Sequence, residues 1–228
     1  MASMPEPSGA SGEAKPLRRR LSPDDRRSEL LALGAKVFGE RPYDDVRIDE
    51  IAERAGVSRA LMYHYFPDKR AFFAEVVRAE GERLFVATST PAIPGQTLFD
   101  RLRAGVLAYV EYHEQYPHGS WAAYVGPGRT DPMLLGIDDA DNVRQMERIL
   151  DAVRAVSSEL DSKVERDLRV TVYGWLAFTL ELCRQRIIDP SLDAGQVADS
   201  CAHALLDAVA RVPGIPAELV KSVSAEHR

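Results

Sequence analysis

Residues 46–73 read VRIDEIAERAGVSRALMYHYFPDKRAFF, and the glycine near the centre of that stretch limits the fold more than any other feature of the chain. On its N-terminal side, Ile48, Ile51 and Ala55 recur at spacings that put apolar side chains on one face of a helix. Ala52 is small, as a residue must be where two short helices cross closely. Gly56 stands at the turn, where a left-handed backbone is cheap only without a Cβ. Val57 fills the angle beyond it and Ser58 can cap the next helix. Met62 and Phe66, four residues apart, pin that helix to a core, and Pro67 closes it. The spacing predicts a helix-turn-helix over about residues 46–66.

Arg59, Ala60, Leu61, Tyr63 and His64 are left pointing outward, an unusual group to offer to solvent. In a helix-turn-helix the N-terminal end of the second helix reaches base edges, and Arg59 stands there. An arginine so placed can grip a guanine with two hydrogen bonds. Tyr63 and His64 suit phosphate contact through phenol and imidazole, and Ser58 and Tyr65 flank the same surface. Leu61 and Tyr65 have a plainer alternative as packing residues, His64 as a solvated one, and Arg59 and Lys69 as incidental surface charge. Lys69 follows the capping Asp68 at the start of the next helix, where its charge adds to the positive dipole end. That is poor for helix stability and good for holding a phosphate.

The rest of the chain is helical punctuation. Residues 1–21 are rich in Pro, Gly, Ser and Ala with a basic run at Lys15, Arg18, Arg19 and Arg20, the composition of a disordered tail. A first helix opens at Ser22-Pro23-Asp24-Asp25 and is expected to end at Gly39 and Pro42. A fourth of about 18 residues runs on from Asp68 with Phe72, Phe73, Val76, Val77, Leu84 and Phe85 on its apolar face. Residues 88–95 (TSTPAIPG) are turn chemistry and mark a boundary between a domain over 24–84 and a second over 96–212, with a tail over 213–228. Beyond it helices are expected at about 97–115, 119–125, 138–160, 162–188 and 193–211. No strand alternation or internal repeat is visible, so the fold class is all-α.

Bulk properties narrow the function. Residues 1–85 balance 15 Lys and Arg against 15 Asp and Glu, so the whole net charge of −6 lies in the remainder. Any contact with nucleic acid must then come from local placement of charge. No apolar run is long enough to span a bilayer, no secretory leader is visible, and two cysteines, Cys183 and Cys201, fit a reducing cytoplasm. Neither a nucleophile motif nor a phosphate loop nor a metal-ligand spacing is present, and no enzyme activity, metal or cofactor is expected.

AGVSRALMYHYFPDKRAFF resembles the signature of the tetracycline-repressor (TetR) family, with Gly56, Val57, Ser58, Tyr63, Phe66 and Lys69 in register. The strong match covers about residues 24–84. Two positions depart from the pattern: Arg47 stands where a capping Ser or Thr is common, and Leu61 where Thr is common. Arg47 can still bind phosphate, and Leu61 can touch a thymine methyl. The resemblance implies a three-helix DNA-binding domain followed by a larger helical domain for ligand binding and dimerisation. It further implies a homodimer on a near-palindromic operator, released by a small molecule. The alternative is a helical ligand-binding protein whose helix-turn-helix no longer binds DNA.

In the second domain, residues 162–188 carry too wide an apolar surface for one face, and residues 193–211 carry many small residues, as a four-helix dimer interface requires. Tyr109, Tyr112, His113, Trp121, Tyr124, Trp175 and Phe178 are the expected lining of a pocket for a hydrophobic effector, with ordinary core packing the alternative for each.

Overall fold

The computed structural model describes residues 22–89, 95–156 and 160–215. The basic run of the N-terminal tail and nearly all of the C-terminal tail lie outside the described residues, as does most of the turn at 88–95. Among the described residues there are nine α-helices and no strand. None of these helices is long and apolar enough to cross a membrane.

The first helix, α1 (Pro23–Glu40), starts as its residues dictate: the Ser22 hydroxyl accepts from the Asp25 amide at 3.1 Å and proline occupies the first turn. It ends between Gly39 and Pro42, as expected. Gly39 lies in its last turn, where the absence of a side chain lets Tyr116 pack over it, 2.8 Å from where a Cβ would sit. The helix ends one residue later, where Arg41 precedes Pro42 and takes the extended backbone that a following proline imposes. A 3-10 turn (Tyr43–Asp45) leads to α2 (Ile48–Ala55), α3 (Arg59–Tyr65) and α4 (Lys69–Ala87). Phe38, Met62, Phe66 and Phe72 are sealed between these helices, with the Phe38–Phe73 and Phe66–Phe72 rings 4.7 Å apart. The α1–α4 crossing is close because position 34 is glycine: a Cβ there would lie 2.4 Å from Phe72 Cζ.

Five helices follow: α5 (Leu98–Gln115), α6 (Pro117–Tyr124), α7 (Pro132–Val156), α8 (Ser162–Ile188) and α9 (Ala194–Ala210). The largest departure from expectation is α7, which opens six residues early. Asp131 caps it, accepting from the Met133 amide at 2.8 Å, and Pro132 takes the first helical position. The preceding residues, Pro127–Thr130, coil into a 3-10 turn rather than an open loop. A second core gathers Val110, Leu150, Leu168, Val172 and Leu205 from α5, α7, α8 and α9. The two cores do not divide at the turn: Ala122 of α6 and Leu134 and Ile137 of α7 pack into the first. The long helix α4 therefore belongs to both halves.

Candidate functional site

The helix-turn-helix closes as its spacing requires. Gly56 has φ 65° and ψ 34°, the left-handed conformation. Its amide and that of Val57 both return to the end of α2, Gly56 to the Glu53 carbonyl and Val57 to the Ala52 carbonyl, each at 3.0 Å. Ser58 then caps α3, accepting from the Leu61 amide at 3.1 Å. Met62 and Phe66 are buried completely or nearly so, which fixes α3 by one face.

The opposite face stands clear. Ser58, Arg59, Ala60, Tyr63 and His64 are exposed, and no acid lies in the first turn of α3. Arg59 keeps 62% of its side chain in solvent while pairing with Asp49 of α2 at 3.2 Å and, more loosely, Glu53 at 3.8 Å. Arg47 is exposed at the start of α2 and makes no capping bond. Leu61 and Tyr65 are half-buried. Tyr65 turns away from the open face, and its hydroxyl donates to the Pro23 carbonyl at 3.3 Å, tying α3 to the start of α1.

Lys69 is placed differently from the phosphate-holding role expected of it. Its ammonium donates to the carbonyls of Tyr43, Asp44 and Val46 at 3.0, 3.3 and 3.2 Å, which uses all three N–H groups. It also lies 4.4 Å from the Tyr43 ring centroid. The charge that breaks the local helix rule is answered by the 3-10 turn before α2, not by a free anion.

Behind this head, α4 is strapped to the larger half. Arg70 grips Asp131 with both arms, at 2.5 and 2.7 Å, and holds that carboxyl down at about 2. Arg144 pairs with Glu82, Arg148 donates to the Phe85 carbonyl at 3.1 Å, and the Tyr112 phenol donates to Glu80. Asp131 is the cap of α7, so one carboxylate joins the first turn of α4 to the first turn of α7.

Only part of the expected aromatic set comes together around a cavity. Tyr109 and Tyr124 line a space of about 270 Å³ between α4, α5, α6, α7 and α8. Tyr112 and His113 line a smaller one of about 50 Å³, which shares Val77, Ala123 and Tyr124 with the first. His113 is buried, its Nδ1 lies 2.8 Å from the Ser120 hydroxyl, and burial pushes its pKa down to about 3, so it is neutral. Its Nε2 has no partner. Trp175, Trp121 and Phe178 are elsewhere. Trp175 is buried and donates to the Cys201 carbonyl at 2.7 Å, locking α8 to α9. Trp121 and Phe178 are exposed by 51% and 43%.

The sequence reading missed the charged members of the lining. Asp138 and Asp141 of α7 and Glu181 and Arg184 of α8 all face the larger cavity. The i,i+3 spacing of each pair was the available signal. Burial together with Asp139 and Asp141 raises the Asp138 carboxyl to about 6. Among the described residues no three His, Cys, Asp or Glu side chains are grouped to hold a metal ion.

Comparison with known proteins agrees with this geometry. Residues 30–76 match the family model described as bacterial regulatory proteins, tetR family. The chain is 30% identical over 115 residues to the HTH-type transcriptional activator FasR of Mycolicibacterium smegmatis, covering 50% of this chain and 52% of FasR. It is 40% identical over 67 residues to the HTH-type transcriptional regulator EthR of Mycobacterium tuberculosis, covering 28% and 31%. The chain thus aligns with about half of the first relative's length and under a third of the second's. A tetR-family transcriptional regulator from Streptomyces coelicolor shares the fold over 90% of this chain and 89% of its own, with a TM-score of 0.70 at 21% identity. The glycine-turned head thus matches the tetR family of bacterial regulatory proteins over residues 30–76, and the chain as a whole shares the fold of a solved tetR-family regulator.

Proposed function

We propose that the chain is a sequence-specific DNA-binding transcriptional regulator of the cytoplasm, acting as a homodimer that a small molecule releases from a near-palindromic operator. The observation that carries this is the open face of α3. Arg59, Tyr63 and His64 stand in solvent on a helix held rigidly by Met62 and Phe66. On DNA, Arg59 exchanges the carboxylates of Asp49 and Glu53 for a guanine edge. Tyr63, His64, Ser58 and Arg47 contact phosphates around it, and Ala60 and Leu61 offer apolar contact to thymine methyls.

For the dimer, α8 offers an unusual surface: Val170, Tyr173 and Phe178 are 69%, 48% and 43% exposed along one side of an otherwise packed helix. Gly174 and Ala177 lie between them and keep that side flat. A two-fold pairing there would cover the apolar stripe and set two reading heads roughly 34 Å apart, one helical turn of DNA. Ligand binding in the larger half would act through α4, whose Arg70, Glu80 and Glu82 are all bonded to it. A ligand shifts that equilibrium only by its difference in affinity between the DNA-bound and released forms.

A gel shift with the DNA upstream of the gene tests the reading. Retardation at low salt, lost selectively at one base position in Arg59→Ala, is expected, with about 1–3 kcal/mol of discrimination lost there. No retardation at low salt would leave a helical ligand-binding protein whose head no longer meets DNA.

A further inference from the structure

We propose that the larger cavity takes a small amphipathic cation, such as an amine on an apolar body. Its charge would lie against Asp138 and Asp141, and its body against Tyr109 and Tyr124. This rests on the effector-domain reading above and adds a positive charge to the hydrophobic ligand expected from the sequence.

The cavity is built like a partner's negative image. Tyr109, Tyr124, Leu134 and Ile137 supply apolar wall, and one turn of α7 places two carboxylates in the lining, Asp138 and, with one oxygen against Gly81 of α4, Asp141. Asp138 is largely buried, and both charged groups that act on it, Asp139 and Asp141, are repulsive. A buried carboxylate with only like charges for company is costly until a cation arrives or a proton neutralises it. The cations nearby are committed or peripheral. Arg144 is 3.5 Å from Asp141 but forks onto Glu82, and Arg78 of α4 acts on Asp141 against Glu82. On α8, Arg184 is neutralised by Glu181 at 2.8 Å, and Arg129 lies exposed at the rim. From α5 and α6 the facing groups, Tyr109 and Tyr124, are kept neutral by burial. A further polar atom adjoins: the buried His113 leaves Nε2 unpartnered beside the smaller cavity, which shares Tyr124 with the larger. A ligand reaching past Tyr124 would find a hydrogen-bonding atom there.

The test is isothermal titration of the full chain with phenylbutylamine, phenylbutanol and phenylbutyrate, one skeleton with three charges. The amine is expected to bind about tenfold or more tighter than the alcohol near neutral pH, with the acid weakest. Asp138→Asn and Asp141→Asn should each weaken the amine about tenfold and leave the alcohol within about twofold. Because a cation favours the ionised carboxylate, amine affinity should rise with pH through about 6. Alcohol or acid binding as tightly as the amine, or an amine preference that survives Asp138→Asn, overturns the proposal. So does failure of all three to bind at millimolar concentration. Retardation of DNA is scored separately: release by the acid alone would keep the effector reading and sink the cation. Absence of retardation would sink the DNA reading while titration still decides the ligand.

Discussion

Around α3, apolar side chains fill the space between helices and polar ones find partners close by. Phe38, Met62, Phe66 and Phe72 are sealed, Ser58 caps its own helix, and the Lys69 ammonium is held by three carbonyls. Between α7 and α8 the chain leaves about 270 Å³ unfilled, with Asp138 facing it among like charges and His113 Nε2 unpaired next door. The reading head is closely packed, with Asp49 Oδ1 of α2 left unpartnered beside the Arg59 pair, so it can present a fixed surface. The larger half carries polar groups whose partners are missing, and unfilled demands of that kind are what a ligand satisfies.

That contrast is broken most forcefully in the packed half. Phe66→Ala removes a ring that is 1% exposed and packs 4.7 Å from Phe72. It should cost about 3–5 kcal/mol in urea denaturation and abolish DNA retardation with it. A loss below about 1 kcal/mol would mean that the head relaxes as freely as the cavity wall.

In the unfinished half, removing a charge should help rather than harm. Asp138 has its folded pKa raised from 3.8 to about 6, so the native state binds more protons than the unfolded chain between those values. Its burial penalty is therefore absent below about pH 4 and fully present above about pH 6. Asp138→Asn should stabilise the protein by about 1–3 kcal/mol near neutral pH and by nothing at low pH. His113 works in the opposite direction. Its folded pKa is lowered from 6.5 to about 3, so its stabilising neutrality is complete above about 6.5 and is lost as pH falls through that window. Thermal melts of the wild type and of Asp138→Asn across this range separate the two. Equal stability of both proteins at neutral pH would show that Asp138 already has a counter-charge.

How far each half was legible in the sequence follows from the same difference. Gly56 and Ser58 act on neighbours within five residues, and Met62 and Phe66 show their buried face by their four-residue spacing, so local pattern alone revealed their work. The cavity is assembled from five helices, and no local spacing tells an aromatic that lines it from one that does not. Trp175 and Tyr109 look alike in a helical pattern, yet one donates to a backbone carbonyl on α9 and the other borders open space. Spacing marks Gly39 as a helix end and is silent on its second role, because the Tyr116 ring that packs over it lies 77 residues away, between α5 and α6. The early start of α7 was hidden for a subtler reason: PGRTDP has loop composition, but its last two residues are also a cap and a first-turn proline.

Lys69 is where the two readings part most cleanly, and its expected effect on DNA binding is the smallest. A lysine at a helix start that touched a phosphate would give up about 0.9 of the slope of log affinity against log salt when removed. In this structure its three donors are taken by Tyr43, Asp44 and Val46, 23 to 26 residues upstream. Lys69→Met keeps the stem and deletes the ammonium, leaving three carbonyls to water and costing about 1–2 kcal/mol of stability. The slope should stay unchanged, and affinity should fall equally for operator and unrelated DNA only as far as the turn before α2 loosens. Arg47→Met, made beside it, removes an exposed cation and should lower the slope. If Lys69→Met flattens the slope as Arg47→Met does, the lysine leaves its carbonyls when DNA arrives, and the head is less finished than its packing implies.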